Sequence, residues 1–258
     1  MICTHFTRTL ATSLAALMLA GSAFAADAWR VSTEGTFPPF EFYNSQTGEV
    51  QGFEVDLVKA MAQKMGKDLQ LSTMSFDAII PAILSGSIDT GAAGFSITPE
   101  RAKRVLFSTP FYRSGLTIVV PKKNAANIAD FKDLEGKRIS VQLGTTSMAY
   151  AKKIKGAKVT TFNSAGDAIL DMLAGNSDAV INDKPVTDYI LAKNENLASQ
   201  TLHLKPIATA DLFAMVTAKN NDKLKAEMDA ALKALKEDGT YNKLHNKWFG
   251  IDAEPDLP

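Results

Sequence analysis

Cysteine is nearly absent from this chain of 258 residues, because Cys3 is the only one. An intrachain disulfide and a zinc site built from cysteines are therefore excluded. Histidine is scarce too, with three residues, and none of them has the spacing of a metal site. The chain contains no G-x-S-x-G, Walker or G-x-G-x-x-G motif, so nucleophilic and nucleotide chemistry have no candidates. We therefore predict no catalytic residue, no metal and no cofactor.

A surplus of charge of one sign is also missing, since 28 Lys and Arg residues oppose 28 Asp and Glu residues. Nucleic-acid-binding proteins normally carry a basic surplus, so we predict no nucleic-acid partner. The composition, 46% hydrophobic and 22% charged, is typical of a globular protein and excludes a disordered or collagen-like chain. The length allows one large domain or two small ones.

The one long apolar run stands near the N-terminus, where Arg8 precedes the segment from Leu10 to Ala20. An A-x-A site follows and ends at Ala25. This pattern predicts a secretory signal peptide over residues 1–25, and hence export. The alternative is a membrane anchor, but the run is shorter than the ~20 residues that span a bilayer. No second run long enough to span occurs in residues 26–258.

Strand-like and helix-like segments alternate after residue 25. Apolar residues at helical spacing predict a helix over Phe53–Met65 that stops at Gly66. The segment Leu116–Val120 is predicted to be a strand, and the alternation of strand-like and helix-like segments restarts after it. Such alternation predicts parallel α/β sheets, and its repetition predicts two α/β lobes. The terminal helix that contains His245 is polar around this residue, so we expect a solvated His245.

One helix start combines several groups that suit a carboxylate. A predicted strand from Ile88 to Gly94 ends in small residues, and Thr98 then caps a helix. Helix N-termini attract anions, and a guanidinium pairs with a carboxylate in two-pronged fashion. This pattern predicts a clamp made of the N–H groups of Gly94 and Ser96, the Ser96 hydroxyl and Arg101. The alternative, which spacing alone favours, is an ordinary capped helix with a surface arginine.

Three further strand ends carry polar side chains. Asp183 follows a predicted strand, where open α/β sheets bind their ligands, although it could equally cap the next helix. Thr145 and Thr146 open another helix, and hydroxyl residues also favour such positions as plain caps. Glu34 ends the first strand, and its alternative is a solvated loop acid.

Short motifs spread over the whole chain after residue 25 resemble one family. They are Phe37-Pro38-Pro39-Phe40-Glu41-Phe42, Gly52-Phe53-Glu54-Val55-Asp56-Leu57, Phe76-Asp77-Ala78-Ile79-Ile80-Pro81-Ala82, Ala93-Gly94 through Arg101, Phe107-Ser108-Thr109-Pro110-Phe111-Tyr112, Lys132-Asp133-Leu134-Glu135-Gly136-Lys137, Asp238-Gly239-Thr240-Tyr241 and Lys247-Trp248-Phe249-Gly250. In order and spacing they are similar to the periplasmic substrate-binding proteins of ABC transporters for polar amino acids (family 3 solute-binding proteins), notably the glutamine- and arginine/lysine/histidine-binding proteins.

The resemblance implies an α/β fold of the type II periplasmic-binding-protein class. Two lobes would be joined by two crossing strands, with the ligand cleft between them. The first lobe would comprise residues 26–111 and 212–258, and the second residues 112–211. This division is a prediction.

The resemblance also assigns roles to residues already selected. Arg101 resembles the arginine that pairs with the ligand α-carboxylate, and Asp183 the acid that takes the α-ammonium. Glu34 and Gln142 occupy the positions that read the end of the ligand side chain. The predicted ligand-binding set is Glu34, Ala93, Gly94, Ser96, Arg101, Gln142, Thr145, Thr146 and Asp183, together with two aromatic walls that on their own would more often be core residues, Phe37 and Phe76.

The implied function is capture of a polar L-amino acid by a monomer, without catalysis, and its delivery to a membrane permease. The resemblance to the glutamine binders implies an aspartate and a lysine at the two positions that Glu34 and Gln142 hold in this chain. The resulting negative charge favours a basic, arginine-like ligand over glutamine. The C-terminal third is closer to the glutamine binders, and Asn182 departs from both patterns. An exported dehydratase of the cyclohexadienyl type and a receptor ectodomain are the alternatives from other classes.

Overall fold

The structure is a computed structural model that describes residues 27–255. The predicted signal peptide, residues 1–25, lies outside the described residues. The helices are α1 Phe53–Met65, α2 Phe76–Leu84, α3 Pro99–Ala102, α4 Thr146–Ala151, α5 Ala165–Leu173, α6 Lys184–Lys193, α7 Glu195–Gln200, α8 Asp222–Glu237 and α9 Thr240–Phe249. The strands are β1 Ala28–Thr33, β2 Thr36–Phe37, β3 Glu41–Tyr43, β4 Val50–Gln51, β5 Asp68–Thr73, β6 Thr90–Gly91, β7 Val105–Phe107, β8 Tyr112–Ser114, β9 Leu116–Pro121, β10 Arg138–Gln142, β11 Lys158–Phe162, β12 Ala179–Asp183, β13 Thr201–His203, β14 Asp211–Phe213 and β15 Val216–Ala218.

Two five-stranded sheets form the two lobes. The first has the order β5-β1-β6-β15-β7, and the second has the order β11-β10-β12-β9-β13. Strand β1 runs parallel to both its neighbours, and so does β10. The two-lobed α/β architecture therefore follows the prediction, while the division at residues 111 and 212 stays a prediction.

The sheets are mixed rather than purely parallel, which corrects the expectation of parallel sheets. Strand β15 is antiparallel to β6 and β7, and β9 is antiparallel to β12 and β13. Both strands enter their sheet directly from a connecting strand, and no crossover helix returns them to the parallel direction. Strands β14 and β15 are separated by Ala214 and Met215, and the Ala214 N–H donates to the Phe95 carbonyl (3.0 Å).

Strands β8 and β14 connect the two sheets. They pair antiparallel with each other, Asp211 facing Ser114 and Phe213 facing Tyr112. A small three-stranded sheet, β2-β3-β4, packs on the first lobe. Among residues 27–255, no helix is both long and apolar enough to cross a membrane.

Local helix signals are confirmed where they were strongest. Helix α1 covers Phe53–Met65 and ends at Gly66, whose φ of 64° is the left-handed conformation that glycine adopts without strain. The Thr98 hydroxyl accepts a hydrogen bond from the Arg101 N–H (3.2 Å), which caps α3. These short-range patterns fix the helix starts at which the candidate ligand groups stand.

The core of the first lobe is aromatic. The rings of Phe40, Phe53 and Phe249 pack against one another with centroids 5.3–6.3 Å apart. The His245 ring belongs to this cluster, 4.6 Å from Phe249, and it is only 6% exposed. The expectation of a solvated His245 is therefore wrong: α9 turns this face inward, and Nδ1 of the ring lies 2.8 Å from the Ile251 carbonyl oxygen.

Candidate functional site

A narrow cavity lies between the carboxyl ends of the two sheets. Glu34 follows β1, Gly94 follows β6, Gln142 ends β10 and Asp183 ends β12. The carboxyl ends of parallel strands are where open α/β sheets present ligand groups. The structure brings all eleven predicted residues together around this cavity: Glu34, Phe37, Phe76, Ala93, Gly94, Ser96, Arg101, Gln142, Thr145, Thr146 and Asp183. Their contact with a ligand stays a prediction.

A larger groove is lined by strand β8, helix α6 and the end of helix α9. Its charged side chains already pair with each other, Arg113 with Glu254 (3.1 Å) and Lys184 with Asp188 (2.5 Å). The smaller cavity instead buries a cation and acids from opposite lobes without a direct ion pair between them. It is therefore the better candidate for a charged ligand.

Arg101 is the cation of the cavity. Its guanidinium carbon lies 5.3 Å from the ring centroids of both Phe76 and Phe95, a cation–π arrangement. Nη1 donates to the Ser96 carbonyl (2.9 Å), and Nη2 donates across the cleft to the Gly144 carbonyl (3.2 Å). Burial lowers the pKa of Arg101 to about 10, against the opposing effect of nearby acids, so it remains a cation at neutral pH. This side chain suits a carboxylate partner.

Asp183 is the acid of the second lobe. It is 4% exposed, and its Oδ1 accepts a hydrogen bond from the Ser114 hydroxyl (2.8 Å). Burial raises its pKa to about 7; the bond from Ser114 and the charge of Arg101 act in the opposite direction, while the charge of Asp211 adds to the rise. A buried carboxylate of this kind is stabilised by a cation placed beside it.

Glu34 is the acid at the opposite end of the cavity. Its Oε2 accepts from the Thr36 N–H (2.9 Å) and its Oε1 from the Thr36 hydroxyl (2.5 Å). Burial raises the pKa of Glu34, and hydrogen bonds from Thr36 and Gln142 oppose that rise. Gln142 is itself oriented by a hydrogen bond from Nε2 to the Asn163 carbonyl (2.9 Å). The two side chains come from different lobes and meet at one end of the cavity.

Two predicted donors are engaged elsewhere. The Gly94 N–H donates to Oε2 of Glu54 (2.7 Å), so the proposed clamp loses this donor. The reason is local: Gly94 has a φ of 58° and packs so close to Phe37 that an added Cβ would lie 2.7 Å from the ring, which fixes its peptide. The Thr145 hydroxyl caps α4 through the Met148 N–H (3.2 Å), which is the plain-cap alternative for that side chain.

Behind Gly94 lies a pair of acids that was not predicted as part of the site. Glu41 and Glu54 are 0% exposed; if both were ionised, both oxygens of Glu41 and Oε1 of Glu54 would lack a hydrogen-bond partner, whereas a proton on one lets it donate to the other. Burial and the charges of Glu54 and Glu34 raise the pKa of Glu41 well above its usual range, and burial raises that of Glu54 to about 8. The pair therefore retains protons at neutral pH. The sequence signal was an acid inside each of two apolar motifs.

The acid pair predicts a pH dependence of stability. A carboxyl whose pKa is raised by folding keeps a proton that the unfolded chain releases, so its stabilising contribution is lost as pH rises. We expect the free energy of unfolding of Glu54→Gln, relative to wild type, to increase between pH 5 and pH 9 by a few kcal/mol. Urea unfolding at several pH values measures this change. Asp56→Asn, on the same helix, is the control, and an equal trend in both variants would refute the assignment.

The chain is similar to known sequences and to solved structures. The profile of the bacterial extracellular solute-binding proteins, family 3, matches residues 29–251. ABC transporter arginine-binding protein 1 of Escherichia coli (strain K12) is 32% identical over 242 residues, 93% of this chain and 97% of that protein. An ancestral arginine-binding protein bound to arginine has a solved structure with a TM-score of 0.82 and 39% identity, covering 88% of this chain and 100% of the other.

A further solved structure bears on catalysis. The ancestral amino acid-binding protein AncCDT-1, a precursor of cyclohexadienyl dehydratase, is similar with a TM-score of 0.78 and 38% identity, covering 86% of this chain and 95% of the other. Within residues 27–255, no group of three or more His, Cys, Asp and Glu side chains could hold a metal ion.

Proposed function

Because this chain belongs to the bacterial extracellular solute-binding proteins, family 3, we propose that it captures a basic L-amino acid, arginine fitting best, by closing two lobes on it. The predicted family and the type II periplasmic-binding-protein fold are confirmed by this match and by the likeness to arginine-binding structures. The proposed choice of arginine rests on the charged side chains of the cavity. The cavity holds one cation, Arg101, and two acids, Asp183 and Glu34.

Arginine has the complementary set of charges: one carboxylate and two cations. Its α-carboxylate would pair with Arg101, its α-ammonium with Asp183 and its guanidinium with Glu34. Every buried charge then has a partner of opposite sign, which is the condition for tolerating charge in a closed cavity. Glutamine would offer Glu34 only a neutral amide, so this buried carboxylate would have hydrogen bonds but no partner of opposite charge. The side-chain walls, Phe37 and Phe76, add cation–π faces.

Lobe closure follows from the placement of these groups. Arg101 and Glu34 belong to the first lobe and Asp183 to the second, so neither lobe alone satisfies a zwitterion. A ligand that contacts both lobes shifts the population toward the closed form. In the structure the lobes already touch, since the Phe42 and Tyr189 rings lie 5.5 Å apart across the cleft.

Gly144→Ala should obstruct this closure. An added Cβ would lie 3.0 Å from Cβ of Asp77 in the first lobe, and the φ of 77° strains any side chain. We expect arginine affinity to fall by about ten-fold or more, measured by calorimetry. Gly136→Ala is matched in strain, with a φ of 70° and nothing within 4 Å of the added Cβ. It should lose a similar amount of stability but keep its affinity, and equal losses of affinity would count against closure at Gly144.

We also propose that the protein is not an enzyme, that it is exported to the periplasm as a monomer, and that it delivers its ligand to an ABC transporter permease. Relatives named as transport binding proteins support this role. Because the chain is similar to a dehydratase precursor, the proposed absence of catalysis should be tested directly. Incubation with prephenate or arogenate should give no product, and turnover would replace the transport proposal with catalysis.

A thermal-shift screen of residues 26–258 against the twenty amino acids, ornithine and citrulline tests the proposal. A ligand that binds only the folded protein raises its melting temperature. The expected result is a rise with arginine and smaller rises with lysine or ornithine. A rise with glutamine alone would support the glutamine alternative and show that Glu34 and Gln142 read a neutral amide. The absence of any rise would contradict amino-acid binding.

A further inference from the structure

The second-lobe acid of the cavity is held by a residue of the connecting strands. Ser114 ends β8, where it faces Asp211 of β14. Its hydroxyl donates to Oδ1 of Asp183 at 2.8 Å. Asp183 is the last residue of β12, so this bond joins the tip of the second sheet to the strand pair that links the lobes. Among the described residues, Ser114 is the side chain that donates a hydrogen bond to the Asp183 carboxylate.

Ser114 itself does not line the ligand cavity. Ser114 is a lining residue of the larger groove, and only its hydroxyl reaches toward the cavity, where it donates to Asp183. Any effect of Ser114 on a ligand in the cavity must therefore pass through Asp183. This separates its role from that of the eleven lining residues, and it allows a change at Ser114 without removing a ligand contact.

We propose that Ser114 is a positioning residue, whose hydroxyl keeps the Asp183 carboxylate ionised and oriented for the ligand ammonium and ties it to the connecting strands. The inference rests on the proposed function for its effect on binding. A hydroxyl that donates to a carboxylate stabilises the charged form more than the neutral one. The same bond restricts rotation of the carboxylate, so its lone pairs are arranged before the ligand arrives.

The charges around Asp183 show why the hydrogen bond from Ser114 matters for the ionisation of this carboxyl. Arg101 faces it from α3 and favours its ionised form, whereas Asp211 faces it from β14 and disfavours that form. Lys184, next in the chain, directs its ammonium to Asp188 (2.5 Å) on its own helix. Burial is the largest influence and opposes ionisation. Ser114 and Arg101 are thus the two side chains that counter burial, together with a backbone hydrogen bond at Asp183 itself.

Removal of the Ser114 hydroxyl should therefore weaken ligand binding by changing the protonation of Asp183. In Ser114→Ala the carboxyl of Asp183 holds its proton to higher pH, and a protonated Asp183 cannot pair with an ammonium. The apparent affinity of a ligand falls with the fraction of protein that is competent to bind. The loss of affinity should be greatest at acidic pH and should nearly disappear once Asp183 is ionised in both proteins.

The experiment is calorimetry with arginine at pH 6, 7 and 8.5. We expect Ser114→Ala to bind about ten-fold more weakly than wild type at pH 6 and within about three-fold at pH 8.5. Ser114→Thr keeps the hydroxyl and should restore the wild-type profile. Arg113→Gln, the neighbouring exposed residue on β8, should show no pH-dependent loss. Comparing variants with wild type at each pH cancels the titration of arginine itself.

A second measurement does not depend on the ligand. The titration of the Asp183 side-chain carboxyl, followed by NMR in the ligand-free protein, should move to higher pH in Ser114→Ala and return in Ser114→Thr. An unchanged titration, or a loss of affinity that is the same at every pH, would overturn the proposal. If wild type binds no amino acid while the Asp183 titration moves as expected, the proposed function fails and the positioning role of Ser114 stands.

Discussion

Arg101→Ala should weaken arginine binding by about a hundred- to a thousand-fold, which corresponds to roughly 3–4 kcal/mol. The guanidinium is the cation of the cavity, and a ligand carboxylate buried there without it would have no charged partner. Removal also deletes the cross-cleft hydrogen bond to the Gly144 carbonyl (3.2 Å). Both losses act on the closed, ligand-bound form. Calorimetry with arginine measures the effect directly.

The stability of Arg101→Ala should not fall with its affinity. Burial of the Arg101 cation lowers its pKa, so its substitution removes a desolvation cost that offsets the two hydrogen bonds and two ring contacts it also removes. The control is Arg104→Ala, three residues further along and exposed. It should keep both affinity and melting temperature. If Arg101→Ala bound arginine within a few-fold of wild type, the assignment of Arg101 as the partner of the ligand α-carboxylate would be wrong.

Glu34→Gln should change the preference between ligands. Arginine would lose the partner of its guanidinium, and we expect its affinity to fall about a hundred-fold. Glutamine needs no charge there, so its affinity should be unchanged or higher.

Parallel titrations of both ligands into wild type, Glu34→Gln and the exposed control Glu49→Gln measure this change. Only Glu34→Gln should alter the ratio of the two affinities. Equal arginine affinity in wild type and Glu34→Gln would mean that the guanidinium does not lie against this carboxylate. In that case the negative end of the cavity would have another role.

Sequence reasoning reached the site because most of its residues follow from local rules. A cap at Thr98 fixes the start of α3, and an acid at the end of β12 follows from where open sheets present ligand groups. The direction of the Gly94 N–H could not be predicted, because its acceptor is Glu54, 40 residues earlier in the chain. Only tertiary packing brings the two together.

The same limit explains the other differences. His245 has polar neighbours in sequence, yet its burial is decided by the aromatic side chains of α1 and β8 that pack against α9. The role of Ser114 depends on strand pairing and on the end of a second strand, and the sequence marks neither by a motif. Periodicity reports which face of an element is buried, but not which distant group it meets.

The place of β15 inside the first sheet affects the order in which the molecule can be assembled. Its residues, 216–218, lie between β6 and β7, so the first sheet stays divided until the C-terminal fifth of the chain has emerged from the ribosome. The second sheet is made from one continuous segment, residues 116–203, and can form earlier. For a chain that we propose to be exported, late completion of the larger core delays the tight fold that would impede threading through a translocation channel. The half of the cavity that carries Asp183 would then form first, and the half that carries Arg101 would follow.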